Sequence, residues 1–219
     1  MEKMDLGDRM KSYENVFNIS LPIRTPLIMR LDGRSFHRLT RYAEKPFDMK
    51  FIGSMQQTCR KLMREIQDAV LIYNQSDEIS VLMNTYRSQV DGDAWFQNRV
   101  EKIISISSGI ASVEFTKDYG KEGIFDSRIF SIPKEDVENY FIWRQEDWIR
   151  NSIGMLARSL YSQKELNNIG KSELLAKIQK KGKSWNDIAD ELKYGSIFTK
   201  NGKESYIFKE NRNKIRELL

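Results

Sequence analysis

Residues Ala69–Met83 read AVLIYNQSDEISVLM: an apolar run (Ala69–Tyr73), a polar segment (Asn74–Glu78) and a second largely apolar run (Ile79–Met83). Two strand-like runs around a short polar stretch make a β-hairpin, with the acidic pair Asp77-Glu78 at or near its turn. Upstream, TPLIMRL (Thr25–Leu31) is another short apolar run, and it ends at Asp32-Gly33, a turn signal. Between them, Phe51, Ile52, Met55, Cys59, Leu62, Met63 and Ile66 recur in steps of three and four, which predicts a helix over 48–68 with Asp48 as its N-cap. Downstream, Trp95–Val113 is helical by the same criterion, and FDSRIFSI (125–132) alternates like a strand before Pro133. Lys134–Tyr161 predicts one or two long helices carrying Trp143 and Trp148. The order is strand, helix, hairpin, helix, strand, helix. It predicts an α+β fold, an antiparallel sheet with helices packed on one face.

Past Asn167–Lys171 glycines and lysines become common, and Asn201-Gly202 between short apolar segments signals a second hairpin. The expected division is therefore a catalytic domain over 1–166 and a small basic appendage over 167–219. The chain of 219 residues has a net charge of +5, and residues 171–219, with 12 Lys+Arg against 7 Asp+Glu, carry all of that excess. A basic segment of this kind suits a polyanion such as RNA, although a solvated lysine-rich surface has the same composition.

Scarce residues exclude much of the usual chemistry. A single cysteine, Cys59, leaves no intrachain disulfide and no cysteine-ligated zinc site, and a single histidine, His37, leaves no two-histidine metal site. No apolar run is long enough to span a membrane, and the N-terminus lacks the apolar core of a signal peptide, so a cytoplasmic protein without a membrane partner is expected. Polar chemistry rests on carboxylates, cationic side chains and hydroxyls. P-loop and Rossmann glycine patterns are absent.

Two features carry chemistry: RLDGRSFHR (30–38), a carboxylate leaving a strand into a glycine turn, and Ser76-Asp77-Glu78 at the hairpin. If the two strands are neighbours, Asp32 and Asp77 converge at one end of the sheet, where they repel unless a cation lies between them. Oxygen ligands alone favour a hard ion, Mg²⁺ or Mn²⁺, and two such ions suit in-line phosphoryl transfer. Gly33 is expected to let the backbone approach a metal or phosphate, and the peptide N–H groups of Arg34, Ser35, Phe36 and His37 to form an anion nest. Arg34, Arg38, Arg41 and Lys45 add positive charge. Taken singly, each feature is also ordinary turn chemistry. Cys59 reads as core, and Trp143 and Trp148 as packing anchors.

RLDGRSFHR at 30–38, KPFD at 45–48, QSDE at 75–78 and WRQED at 143–147 together resemble the tRNA(His) guanylyltransferase family, which includes the Thg1-like proteins. The resemblance covers roughly residues 6–165. It implies a core similar to polymerase palms and nucleotide cyclases. It also implies addition of nucleotides to the 5′ end of a tRNA, with ATP activating a 5′-monophosphate and the 3′-hydroxyl of GTP or another NTP attacking.

By position, the resemblance makes Asp32 and Asp77 the ligands of two Mg²⁺ ions, with the Gly33 carbonyl as a further ligand and Glu78 in support. Asp32 to His37 and Ser76 would contact the triphosphate, and Lys45 and Asp48 a neighbouring triphosphate or activation site. Eukaryotic members carry HINN after the WRQ motif, associated with reading the tRNA(His) anticodon. The corresponding stretch here is Ile149-Arg150-Asn151-Ser152, so the chain looks more like a Thg1-like protein that repairs 5′-truncated tRNAs, with Arg150 and Asn151 as candidate RNA contacts. Family members form homotetramers, dimers of dimers. The alternatives are a nucleotide cyclase and a catalytically silent RNA-binding module.

Overall fold

The computed structural model describes residues 4–86 and 93–219. Strands β1 (Pro26–Gly33), β2 (Ala69–Gln75), β3 (Glu78–Asn84), β4 (Phe125–Ser131), β5 (Ser196–Thr199) and β6 (Gly202–Glu204) form one sheet in the order β4-β1-β3-β2-β5-β6. Every neighbouring pair is antiparallel. The main helices are α1 (Leu6–Glu14), α2 (Phe36–Leu39), α3 (Met49–Glu65), α4 (Val100–Tyr119), α5 (Val137–Leu160), α6 (Lys171–Lys180), α7 (Asp190–Tyr194) and α8 (Arg212–Arg216).

Helices cover both faces of the sheet, which corrects the one-face layout. Leu27, Met29 and Leu31 of β1 share a core with Phe51, Met55 and Cys59 of α3 and Ala111 and Phe115 of α4. Ile28 of β1, Leu71 and Tyr73 of β2 and Leu82 of β3 face the other way, onto Val137, Tyr140 and Phe141 of α5. The physical reason is in the strands themselves. Runs such as AVLIY and PLIM are apolar at successive positions, and successive side chains point to opposite faces, so both sides need a cover.

Residues 167–219 are not an appendage. β5 pairs with β2 and brings β6 with it, while Phe208 and Ile215 are completely buried in the core beneath α5. Gln145 of α5 fastens this segment: its amide N–H groups donate to the carbonyls of Tyr194 (3.0 Å) and Tyr206 (2.8 Å), and its oxygen accepts from the Phe208 N–H (2.8 Å). Those contacts satisfy backbone groups that burial would otherwise strand. Asp48 caps α3 as expected, accepting from Phe51 N–H at 2.9 Å, and Cys59 is core. Trp148 is buried, but Trp143 is half exposed with the Arg144 guanidinium 4.4 Å from its ring centroid, so only Trp148 is the packing anchor expected of both.

Candidate active site

The β2–β3 hairpin turns through Ser76-Asp77, and Ser76 adopts φ 49°, a left-handed conformation in which a non-glycine residue is strained. β1 lies beside β3 with Asp32 directly opposite Glu78, and the Gly33 N–H donates to the Asp77 carbonyl at 3.1 Å. The two motifs are thereby brought to one end of the sheet. Strand β4 places Asp126 opposite Asp32 on the other side. Glu78, Asp32 and Asp126 thus form a row of three carboxylates across β3, β1 and β4, facing the α5 side.

Like charges in such a row are destabilising unless each is compensated. Glu78, almost fully buried, accepts from Arg144 Nε (2.7 Å) and Nη2 (3.0 Å), from Gln75 Nε2 (3.1 Å) and from Arg30. Asp126 pairs with Arg128 at 3.3 Å in the open. Asp32 and Asp77 form no ion pair among the described residues. Burial pushes the Asp77 carboxyl above the usual carboxylate range, and the charges of Asp32 and Glu78 push it the same way.

These facts sort the sequence-predicted residues. Glu78 belongs to a buried arginine clamp in which both of its oxygens accept hydrogen bonds. The clamp explains the Arg of WRQED, whose role the sequence did not reveal. Asp126 escaped notice in an alternating strand without a motif of its own. Gly33 is required by packing, since a Cβ there would meet the Phe36 ring at 2.5 Å. Phe36 itself is core, its ring 5.0 Å from those of Phe115 and Phe125. The expected nest shortens, because Arg34 N–H donates to the Ile124 carbonyl at 2.8 Å. Ser35, with φ 58°, then leads into the short helix α2, on which His37 is exposed.

Beside the hairpin tip a pocket opens between the 40–48 loop, α3, α5 and β5. Lys45, Asp48 and Ser76 line it with the apolar Phe47, Ile52 and Met155. Trp148 and Gln75 also line it, and the indole N–H of Trp148 and Oε1 of Gln75 are buried without partners among the described residues. Such orphaned polar atoms in an apolar pocket suit the edge of a planar, polar ligand. Arg150 and Asn151 are elsewhere, on the exposed side of α5, about 9 Å along the helix from Arg144. Arg150 pairs with Asp147 at 3.0 Å.

Mg²⁺ is usually held by one or two carboxylates plus substrate phosphates and water. Among the described residues no cluster of three or more His, Cys, Asp or Glu is built to hold a metal by itself. Two uncompensated, converging carboxylates at an open sheet end fit that sparse ligation, because a cation relieves the repulsion felt by Asp77.

A family model described as tRNAHis guanylyltransferase matches residues 7–133. The solved structure of a bacterial tRNA(His) guanylyltransferase (Thg1)-like protein in complex with ATP superimposes with a TM-score of 0.91 at 35% identity, covering 98% of this chain and 99% of that one. A structure of a bacterial Thg1-like protein in complex with GTP gives 0.84 at 34% identity, covering 97% and 98%. The tRNA(His) guanylyltransferase of Debaryomyces hansenii is 30% identical over 66% of this chain, and the match spans 57% of that longer enzyme.

Proposed function

We propose that this chain, which belongs to the tRNA(His) guanylyltransferase family, adds nucleotides to the 5′ end of tRNA in the 3′-to-5′ direction, as a repair enzyme of the Thg1-like kind. The observation that carries the reading is the placement of Asp32 and Asp77, which have no ion pair among the described residues, beside a pocket lined by Lys45.

Asp32, Asp77 and the Gly33 carbonyl would hold Mg²⁺. That ion supplies charge neutralisation on a triphosphate and acidifies the attacking hydroxyl. Asp77 is fixed by its chain neighbour Glu78, which Arg30 and Arg144 clamp, so the reacting centre is positioned before substrate arrives. Lys45 and the first-turn N–H groups after Ser35 face triphosphate oxygens, and Ser76 lies between the carboxylate end and the pocket. The pocket seats the base of ATP or another NTP, with the Trp148 N–H donating and Gln75 Oε1 accepting at its edge. Water is kept from that base by Phe47, Ile52 and Met155.

A homotetramer agrees with the N-terminal segment. No residue of α1 is buried, and Leu6, Tyr13, Val16 and Phe17 are each more than 60% exposed, an apolar surface that a second copy would cover. No helix among the described residues is long and apolar enough to cross a membrane.

The test uses labelled, 5′-triphosphorylated tRNA lacking its first nucleotide, incubated with Mg²⁺ and NTPs. Extension by one nucleotide supports the reading. A cyclic nucleotide formed from ATP or GTP without RNA would replace it with the cyclase alternative, and RNA binding without either product would leave the silent module.

A further inference from the structure

The positive excess found in the C-terminal segment has a structural destination. Lys200 and Lys203, at the β5–β6 turn, come to lie beside Arg60 and Arg64 on the last turns of α3, and the four line one groove with Gln57 and Thr199. Two segments separated by more than a hundred residues thus concentrate their cations on one surface. Lys203 is committed to Glu191 and Gln56. Arg60, Arg64 and Lys200 have no ion pair among the described residues, and all three are exposed. Arg60 is stacked over the Phe198 ring, its guanidinium carbon 5.6 Å from the centroid, which holds it at the groove wall. Of the acids nearby, Glu65 pairs with Lys61 and Glu191 with Lys203, while Asp68 accepts from the Trp95 N–H at 2.7 Å and lies near enough to Lys200 to feel its charge.

The groove lies on the same helix as the nucleotide pocket, nearer the C-terminal end of α3. Ile52 of α3 lines the pocket and Arg64 of the same helix lines the groove, a separation of about 18 Å along the helix. Gln56 bridges them, donating to Ser196 Oγ (3.1 Å) and Glu191 (3.0 Å). Arg60 and Arg64 stand about one helical turn apart, about 6 Å along α3, with Lys200 in the same groove, and several separate cations without ion pairs match a chain of phosphates rather than a single anion.

We infer that Arg60, Arg64 and Lys200 form a phosphate-backbone contact for the substrate RNA, several nucleotides from its reacting end. This rests on the reading of the substrate as tRNA. The contact positions RNA without reading bases.

The experiment measures tRNA affinity by filter binding across 50–200 mM salt for the wild type, for R60Q/R64Q/K200Q, and for a control triple, K117Q/K121Q/K164Q, at exposed lysines elsewhere. Each lost phosphate contact lowers the slope of log K against log salt by about 0.7–0.9. The groove variant is expected to lose about 2 units of slope and at least ~10-fold affinity at 50 mM salt. Its affinity for a fluorescent ATP analogue and its melting temperature should match the wild type, and the control triple should keep the wild-type slope. An unchanged slope in a folded groove variant overturns the inference, as does an equal loss in the control. A changed oligomer mass by light scattering with unchanged tRNA slope would give the groove to a second copy instead. Should the wild type bind tRNA with no salt dependence, the substrate reading itself fails, an outcome distinct from failure of the groove alone.

Discussion

Replacing Arg144 by methionine removes the strongest holder of Glu78 while keeping most of the side-chain volume. The arginine and glutamate side chains are only 7% and 8% exposed, and the pair is joined through two guanidinium nitrogens. Removing one partner of a buried pair costs about 3–5 kcal/mol, because the other charge is left stranded. Here Arg30, itself 22% exposed, still reaches Glu78, so about 2–4 kcal/mol is expected. In a Glu78→Gln background no carboxylate is stranded, and the same substitution should cost only ~1 kcal/mol. The double-mutant cycle therefore has a coupling of about 1–3 kcal/mol, read by urea unfolding followed through tryptophan fluorescence. Because Glu78 adjoins Asp77, R144M should also slow nucleotide addition by about 10²-fold, the usual consequence of a misplacement near 1 Å. A loss of stability below about 1 kcal/mol, or a coupling near zero, would refute the clamp.

Other consequences can be checked in the same laboratory. Gly33→Ala sets a methyl group against the Phe36 ring and should destabilise by about 1–3 kcal/mol; Phe36→Leu in the same background should return part of that loss in thermal melts. Asp77→Asn removes a half-buried carboxylate beside Asp32, so addition should stop while the fold persists, and millimolar Mg²⁺ with NTP should raise the melting temperature of the wild type but not of the variant. Gln145→Leu leaves the Phe208 N–H and the Tyr206 carbonyl unmatched, while the Tyr194 carbonyl keeps the Tyr73 hydroxyl, at about 2–4 kcal/mol. Limited proteolysis should then cut first between residues 195 and 211.

How much of this was legible in the sequence differs from element to element. The hairpin at Ala69–Met83, the Asp48 cap and the convergence of Asp32 with Asp77 follow from local pattern: apolar runs, a capping residue, and turns at matching strand ends. The second helical layer was also implied, since strands without polar alternation cannot be left bare on one side, but composition alone does not say which later helix covers them. The place of 196–215 depends on Gln145 meeting three backbone groups from another part of the chain, and no periodicity encodes that contact. Gly33 was read as making room for a ligand, yet the room is filled by Phe36, a neighbour only three residues away whose rotamer decides the matter. Glu78 was read as supporting the site without any sign of how, because Arg144, sixty-six residues away, is invisible as its partner until the fold brings them together. Asp126 had no motif and gained meaning only from its register with Asp32.

Repair of a 5′ end requires each added nucleotide to match the base it faces, so it is tested by varying the base opposite the missing nucleotide. Four tRNAs, each 5′-triphosphorylated and lacking its first residue, are offered all four NTPs in competition, and the incorporated nucleotide is identified. The account predicts incorporation of the Watson–Crick complement in each case, on tRNAs of different anticodon. Incorporation of G whatever the opposing base, and only on tRNA(His), would contradict it.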